Sequence, residues 1–185
     1  MNIIFGGSFN PPHKGHEKII DYTLKKFSPE KIIIIPAFSP PHKDYTDIID
    51  FGKRYEWLKK IFNSENTEVS DIESKFPCPS YSVNTVNYLK NYYDDLHMLI
   101  GSDSLYSFKS WYKWEELLKN IKLIVYPRNP YKNIKSDIPH ITLNTETYNI
   151  SSSDIRKAVI NNDYNFLKNN LNPLIYNEII EFYKK

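Results

Sequence analysis

Apolar residues along this chain follow two rhythms. Short strand-like runs occur at Asn2–Phe5, Lys31–Pro36, Thr67–Ile72, His97–Ile100 and Lys122–Tyr126, with a weaker one at His140–Leu143. Between most of them, apolar positions recur every three or four residues, the period of a helix with one buried face. Gly15–Phe27 carries Ile20, Leu24 and Phe27 at that spacing, and Pro29 follows as a stop. Lys53–Phe62 sets Tyr55, Leu58 and Phe62 toward a core and leaves Arg54 on another face, where solvent is expected. Another helix opens near Pro79 and runs through Leu89, with Ser80 or Ser82 to cap it. Leu167, Leu171, Ile175, Ile179 and Phe182 read as helices that close the domain. This alternation predicts an α/β fold: a mostly parallel sheet with helices on both faces. No internal repeat, low-complexity tract or Gly/Ser linker interrupts it, so residues 1–185 read as one domain.

Composition narrows the picture by exclusion. Hydrophobic residues make up 41% and charged residues 25%, the balance of an ordinary globule large enough for a full core. A net charge of +2 is too small to point to nucleic acid, so any positive field must be local. The single cysteine, Cys78, excludes an internal disulfide and suits a reducing compartment. The chain enters its first strand at once and has no apolar run of membrane-spanning length, which makes the cytoplasm the expected location and a membrane partner unexpected. A homo-oligomer is compatible with all of this.

The chemistry concentrates first in Phe5-Gly6-Gly7-Ser8-Phe9-Asn10-Pro11-Pro12-His13-Lys14-Gly15-His16. This stretch crosses from the first strand into the first helix, at the carboxyl end of the sheet where open α/β folds bind ligands. Gly6 and Gly7 let backbone approach a ligand closely, and the helix start favours an anion. His13 and His16, three apart, can project toward one bound group. The spacing fits neither a Walker loop nor G-x-G-x-x-G. Two histidines also suit a metal site or a purely structural turn, although no Cys, Asp or Glu stands nearby to complete a metal set.

Further along, Lys43 lies in a proline-stiffened loop after the second strand, where it could meet phosphate or simply be solvated. Exposed N–H groups near Tyr81 and Thr85 could receive a carboxylate. Gly101 permits close backbone approach, and Asp103 can accept two ribose hydroxyls or simply cap a helix. Trp111 and Trp114, three apart, would share a helical face, a stripe that is usually core, as expected of Trp114. Ser151 with Asp154 forms a capping box, and Ser151, Ser152 and Ser153 followed by Arg156 make a phosphate cradle.

Taken together, these elements resemble a known family. The first stretch is similar to the G-G-[ST]-F-[DN]-P-x-H-x-G-H signature of the nucleotidyltransferase superfamily. Pro40-Pro41-His42-Lys43, Pro79-Ser80-Tyr81, Gly101 through Trp114 and Ile150 through Arg156 resemble the bacterial nicotinate-nucleotide adenylyltransferases within it. The resemblance implies a Rossmann-like domain that transfers an adenylyl group from ATP to nicotinate mononucleotide, with Mg²⁺ carried by the ATP. It implies that His13, His16, Lys43 and Arg156 serve catalysis. Gly6, Gly7, Ser8, Phe9, His16, Gly101, Asp103, Ser151, Ser152, Ser153 and Arg156 would bind ATP. Lys43, Tyr81, Thr85, Trp111 and Tyr112 would bind the nicotinate nucleotide. Pro127-Arg128-Asn129-Pro130 departs from the family's Arg-Pro-Gly turn. Pantetheine-phosphate adenylyltransferases share the first motif but not Pro-Pro-His-Lys or the Trp111 element. A non-catalytic nucleotide sensor would have little reason to keep all four phosphate ligands.

Overall fold

Six strands form one parallel sheet: β1 (Asn2–Gly7), β2 (Lys31–Pro36), β3 (Thr67–Val69), β4 (Leu96–Gly101), β5 (Lys122–Tyr126) and β6 (His140–Thr142). Their spatial order is β3-β2-β1-β4-β5-β6, and every neighbouring pair runs parallel. The structure is a computed structural model that describes residues 1–40 and 48–184. The order reverses direction between β1 and β4. A parallel sheet opens a crevice at that switch point, outside the carboxyl ends of its strands.

Eight helices flank the sheet among the described residues: α1 (Lys14–Phe27), α2 (Phe51–Ile61), α3 (Ser82–Leu89), α4 (Ser102–Tyr106), α5 (Trp114–Asn120), α6 (Ser152–Ile160), α7 (Tyr164–Asn170) and α8 (Tyr176–Tyr183). Strand side chains alternate between faces, and the packing follows that alternation. Ile4, Ile33, Met98 and Val125 face α3, α4 and α5, whereas Ile3, Ile32, Leu99 and Ile124 face α1 and α2. A third cluster joins Trp57 of α2 to α6, α7 and α8. The expected α/β architecture with helices on both faces is therefore present. No helix of the described residues is long and apolar enough to cross a membrane.

Four local expectations are corrected. β3 stops at Val69 rather than Ile72, because Asp71 O accepts both the N–H and the hydroxyl of Ser74 and turns Ile72–Lys75 into a 3-10 helix. Helix α2 buries Leu58 as expected, and Phe62 behind it, but it also buries Arg54 and Trp57 while Tyr55 is only half-buried, so the buried face is wider than predicted on the Arg54 side. Neither Ser80 nor Ser82 caps α3, whose N-cap is Tyr81 without a side-chain bond. Ser80 instead accepts Ser39 N–H at 3.0 Å. Finally, Trp111 and Trp114 do not share a helical face. Trp111 is extended after the 3-10 turn Phe108–Ser110, Lys113 is left-handed (φ 52), and α5 begins only at Trp114. Trp114 does pack on the core, as expected.

Candidate active site

Two adjoining cavities occupy the switch point. One, about 580 Å³, is lined by Phe5 to Asn10, His13, His16, Gly101, Asp103, Arg128, Ser151 to Ser153 and Arg156. The other, about 660 Å³, is lined by Ile4, Ile35, Ala37, Glu73, Ser80 to Ser82, Thr85, Trp111 and Tyr112. Gly6, Gly7, Ser8, Ser104 and Trp111 line both. The β1–α1 loop is thus the ridge that the two share.

That loop is shaped from within. Phe9 adopts a positive φ of 45°, a conformation side-chain-bearing residues rarely hold unless their surroundings enforce it. Its ring is buried, in edge contact with Phe5 and His16 at centroid distances of 5.5 and 4.9 Å. Phe9 therefore supports the histidine from beneath, and its ring is part of the core. Nothing stands within 4 Å of where a Cβ on Gly6 would lie, leaving its backbone open to a ligand. At Gly15 a Cβ would sit 2.7 Å from Ile150 Cγ2 and 2.9 Å from His13 Nδ1, so only glycine lets the His13 ring keep its place.

His13 and His16 stack with ring centroids 3.7 Å apart. His13 N–H donates to His16 Nδ1 at 3.2 Å, which fixes the neutral His16 tautomer with its proton on Nε2. His13 is 4% exposed, its Nδ1 is buried without a partner, and burial, aided by the Arg128 charge, pushes its pKa down to about 3. At neutral pH the free protein thus carries an uncharged His13. A bound polyphosphate would raise that pKa.

Arg54 is the largest departure from the sequence reading. Expected in solvent, it is 1% exposed. Its Nε donates to Ile49 O at 2.8 Å and its Nη1 to Ser8 O at 2.7 Å. Asn10 Oδ1 accepts Ile49 N–H at 2.9 Å, and Arg156 Nη1 donates to Asn10 O at 2.7 Å. The β1–α1 loop is held from below by guanidinium groups on two helices. Its sequence signal, an arginine one position from the apolar stripe of α2, is what a solvated arginine also gives.

On α6 the capping box is present: Ser151 Oγ donates to Asp154 Oδ2 at 2.6 Å and accepts Asp154 N–H at 3.2 Å. Ser152 Oγ donates to Pro11 O at 2.9 Å. Both hydroxyl protons are committed within the protein. Ser153 differs, since its Oγ accepts from Arg156 Nη2 at 3.1 Å and its proton remains to be given. The first-turn N–H groups of α6 are orphan donors as at any helix start.

Asp103 sits in the first turn of α4, with Arg128 Nη1 3.6 Å from Oδ2 and its Oδ1 buried without a partner. Ser102 Oγ accepts Arg128 N–H at 2.8 Å and donates to Arg128 O at 3.2 Å, pinning this segment without the family's Arg-Pro-Gly turn. A Cβ on Gly101 would lie 2.2 Å from Asp103 Oδ1 and 2.7 Å from Arg128 Cδ. On the other side, Tyr81 and Tyr112 lie with ring centroids 4.4 Å apart, and Trp111 is half-buried against Phe108. Thr85 N–H reaches Tyr81 O only at 3.4 Å, and its hydroxyl donates to Glu73 Oε1 at 3.1 Å. Lys43 lies outside the described residues. Among those described, no three His, Cys, Asp or Glu side chains converge as metal ligands.

Residues 4–158 match the family model described as Cytidylyltransferase-like. A Fusobacterium nucleatum protein named "Probable nicotinate-nucleotide adenylyltransferase" is 41% identical over 170 residues, spanning 86% of this chain and 88% of its own length. One of the same name from Thermotoga maritima is 39% identical over 164 residues, spanning 83% and 79%. The fold is similar to that of Plasmodium falciparum nicotinic acid mononucleotide adenylyltransferase complexed with NaAD. That superposition has a TM-score of 0.81 at 26% identity and covers 99% of this chain and 97% of the other.

Proposed function

The chain belongs to the cytidylyltransferase-like family, and on that premise we propose a division of labour between its two cavities. The reaction is adenylyl transfer from ATP to nicotinate mononucleotide, giving nicotinic acid adenine dinucleotide and pyrophosphate, a step of NAD biosynthesis. ATP takes the cavity walled by the β1–α1 loop and α6, and the mononucleotide takes the one walled by α3 and Trp111. The observation that carries this reading is the shared ridge, Gly6 to Ser8, which brings the two ligands' phosphates together. There an oxygen of the mononucleotide phosphate attacks the α-phosphorus of ATP while the bond to the β-phosphate oxygen breaks and pyrophosphate leaves.

No side chain needs to act as nucleophile, so catalysis rests on positioning and on neutralising developing charge. His16 Nε2–H donates to the phosphates, with its ring fixed by His13 N–H and by Phe9. Arg156, Ser153 and the N-terminus of α6 hold the β and γ phosphates, and Lys43 serves catalysis as a further cation toward the mononucleotide. Asp103 accepts the ribose hydroxyls. Trp111 stacks on the pyridine ring, and the orphan N–H groups at the start of α3, together with Thr85 N–H, favour its carboxylate. Mg²⁺ arrives as part of the ATP substrate. Residues 1–185 act as one nucleotidyltransferase domain, and the lone Cys78, exposed and free, suits a cytoplasmic setting. The test is pyrophosphate release from ATP with nicotinate mononucleotide, nicotinamide mononucleotide or phosphopantetheine as acceptor. Rapid release with the first alone supports the reading, and release with phosphopantetheine alone overturns it.

A further inference from the structure

One buried carboxyl in the second cavity has no part in the chemistry above. Glu73, on the 3-10 helix Ile72–Lys75, is 8% exposed and lines the cavity between Ala37 and Thr85. Its Oε1 accepts the Thr85 hydroxyl at 3.1 Å and its Oε2 accepts Phe38 N–H at 3.3 Å. The Ser80 hydroxyl also faces it, and Ser80 and Ser39 exchange two hydrogen bonds, Ser39 N–H to Ser80 Oγ at 3.0 Å and Ser80 N–H to Ser39 O at 2.8 Å. One carboxyl therefore ties together the loop after β2, its own 3-10 turn and the first turns of α3. These are three of the walls that surround the pyridine end of the cavity.

Space filling does not explain this choice of residue. Among the described residues no cation contacts Glu73; a carboxyl taken from water is costly, and an apolar side chain would fill the same volume more cheaply. Burial raises the Glu73 pKa, while hydrogen bonds from Thr85, Phe38 N–H and Ser80, and the more distant Arg54 charge, act the other way. What the carboxyl adds is direction. With its proton given to Glu73, Thr85 is locked in one rotamer, and the N-terminus of α3 is fixed relative to Ala37 and Phe38.

We propose that Glu73 is a positioning residue for the pyridine mononucleotide, holding Thr85 and the α3 N-terminus at the distance from the β2 loop that the ligand requires. This rests on the mononucleotide occupying the second cavity. Glu73 touches neither reacting phosphate, so its effect falls on one substrate only.

The experiment measures KM for each substrate, kcat and melting temperature in Glu73→Gln, Thr85→Val and Trp111→Ala. Glu73→Gln keeps the volume but offers one carbonyl oxygen where two donors, Phe38 N–H and the Thr85 hydroxyl, each had an acceptor, and Thr85→Val removes the other end of the same bond. Each should raise the mononucleotide KM by about tenfold, the usual scale of one buried hydrogen bond left unmade, with the ATP KM within about twofold of wild type. The double variant should lose less than the product of the two factors, since both remove one interaction. Unchanged KM values beside a lowered melting temperature would reduce Glu73 to fold support and overturn the inference, as would equal increases in both KM values. Trp111→Ala separates the two levels. If it raises the mononucleotide KM while Glu73→Gln does not, only the inference on Glu73 falls. If neither moves it, the placement of the mononucleotide falls as well. Should Glu73→Gln fail to fold, Thr85→Val alone decides.

Discussion

The two cavities share a ridge of backbone yet are built on opposite principles. The phosphate side is a polar surface whose shape is fixed from behind: Arg54 and Arg156 grip carbonyls of the loop, Phe9 props His16, and Ser151 and Ser152 spend their hydroxyl protons inside the protein. The mononucleotide side is walled by aromatic rings, with one buried carboxyl holding its parts in register. A polyanion needs donors whose positions do not relax as charge develops, so the supporting layer there is ionic and tightly bonded. A flat ring needs surface and distance, which tyrosine and tryptophan supply.

The sharpest way to break this contrast is at its catalytic edge. His16→Ala should lower turnover by roughly 10²–10³, the cost of deleting one donor to transition-state charge. Its melting temperature should fall modestly, since the variant loses the His13 N–H bond and the ring contacts with His13 and Phe9 but leaves the core intact. Near-normal turnover in the folded variant would remove His16 from the chemistry.

Arg54→Ala attacks the supporting layer instead. It leaves the Ser8 and Ile49 carbonyls without their donors, at roughly 1–3 kcal/mol for each buried group. A large fall in denaturation midpoint is expected, with the surviving folded fraction impaired toward ATP. A solvated arginine, as the sequence suggested, would change neither.

Acidification probes the same side more gently. His13 titrates near 6.5 in the unfolded chain and near 3 when folded, so the unfolded state binds the extra proton. Its contribution to stability is full above about pH 6.5 and is lost as pH falls toward 3. Melting temperature followed from pH 7 to pH 4 should therefore fall more steeply in wild type than in His13→Gln. Parallel curves would contradict a buried neutral His13.

The smallest effect belongs to the aromatic side. Nicotinate and nicotinamide are nearly the same shape, and the amide's own N–H groups clash with a site made of donors, so kcat/KM should favour nicotinate mononucleotide clearly. A Trp111 that stacks on either ring gives the prediction that Trp111→Ala weakens both by similar factors, on the order of 1 kcal/mol beyond buried area. A changed ratio between the two would show that Trp111 also selects.

How much of this was legible in the sequence differs between the layers. Strand positions and the phosphate loop stand out because unbroken apolar runs and Gly-Gly, Pro-Pro-His patterns have few other readings. The carboxylate-side geometry was less visible. Glu73 lies just past a stretch that reads as strand, and its role depends on Thr85, twelve positions away, so no local period signals it. Arg54 was misplaced because amphipathic spacing ranks arginine as solvent-facing, whereas tertiary carbonyls here offer it a buried seat. Trp111 was placed on one helical face with Trp114, since spacing of three cannot reveal the left-handed break at Lys113.

The division of the site is tested most directly by crossed steady-state kinetics on Arg156→Ala and Trp111→Ala. Arg156→Ala should raise the ATP KM by about tenfold or more, as expected for a lost charge-assisted bond, and leave the mononucleotide KM near wild type. Trp111→Ala should do the reverse. If both variants raise the same KM, or each raises both equally, the two cavities do not divide the substrates between them.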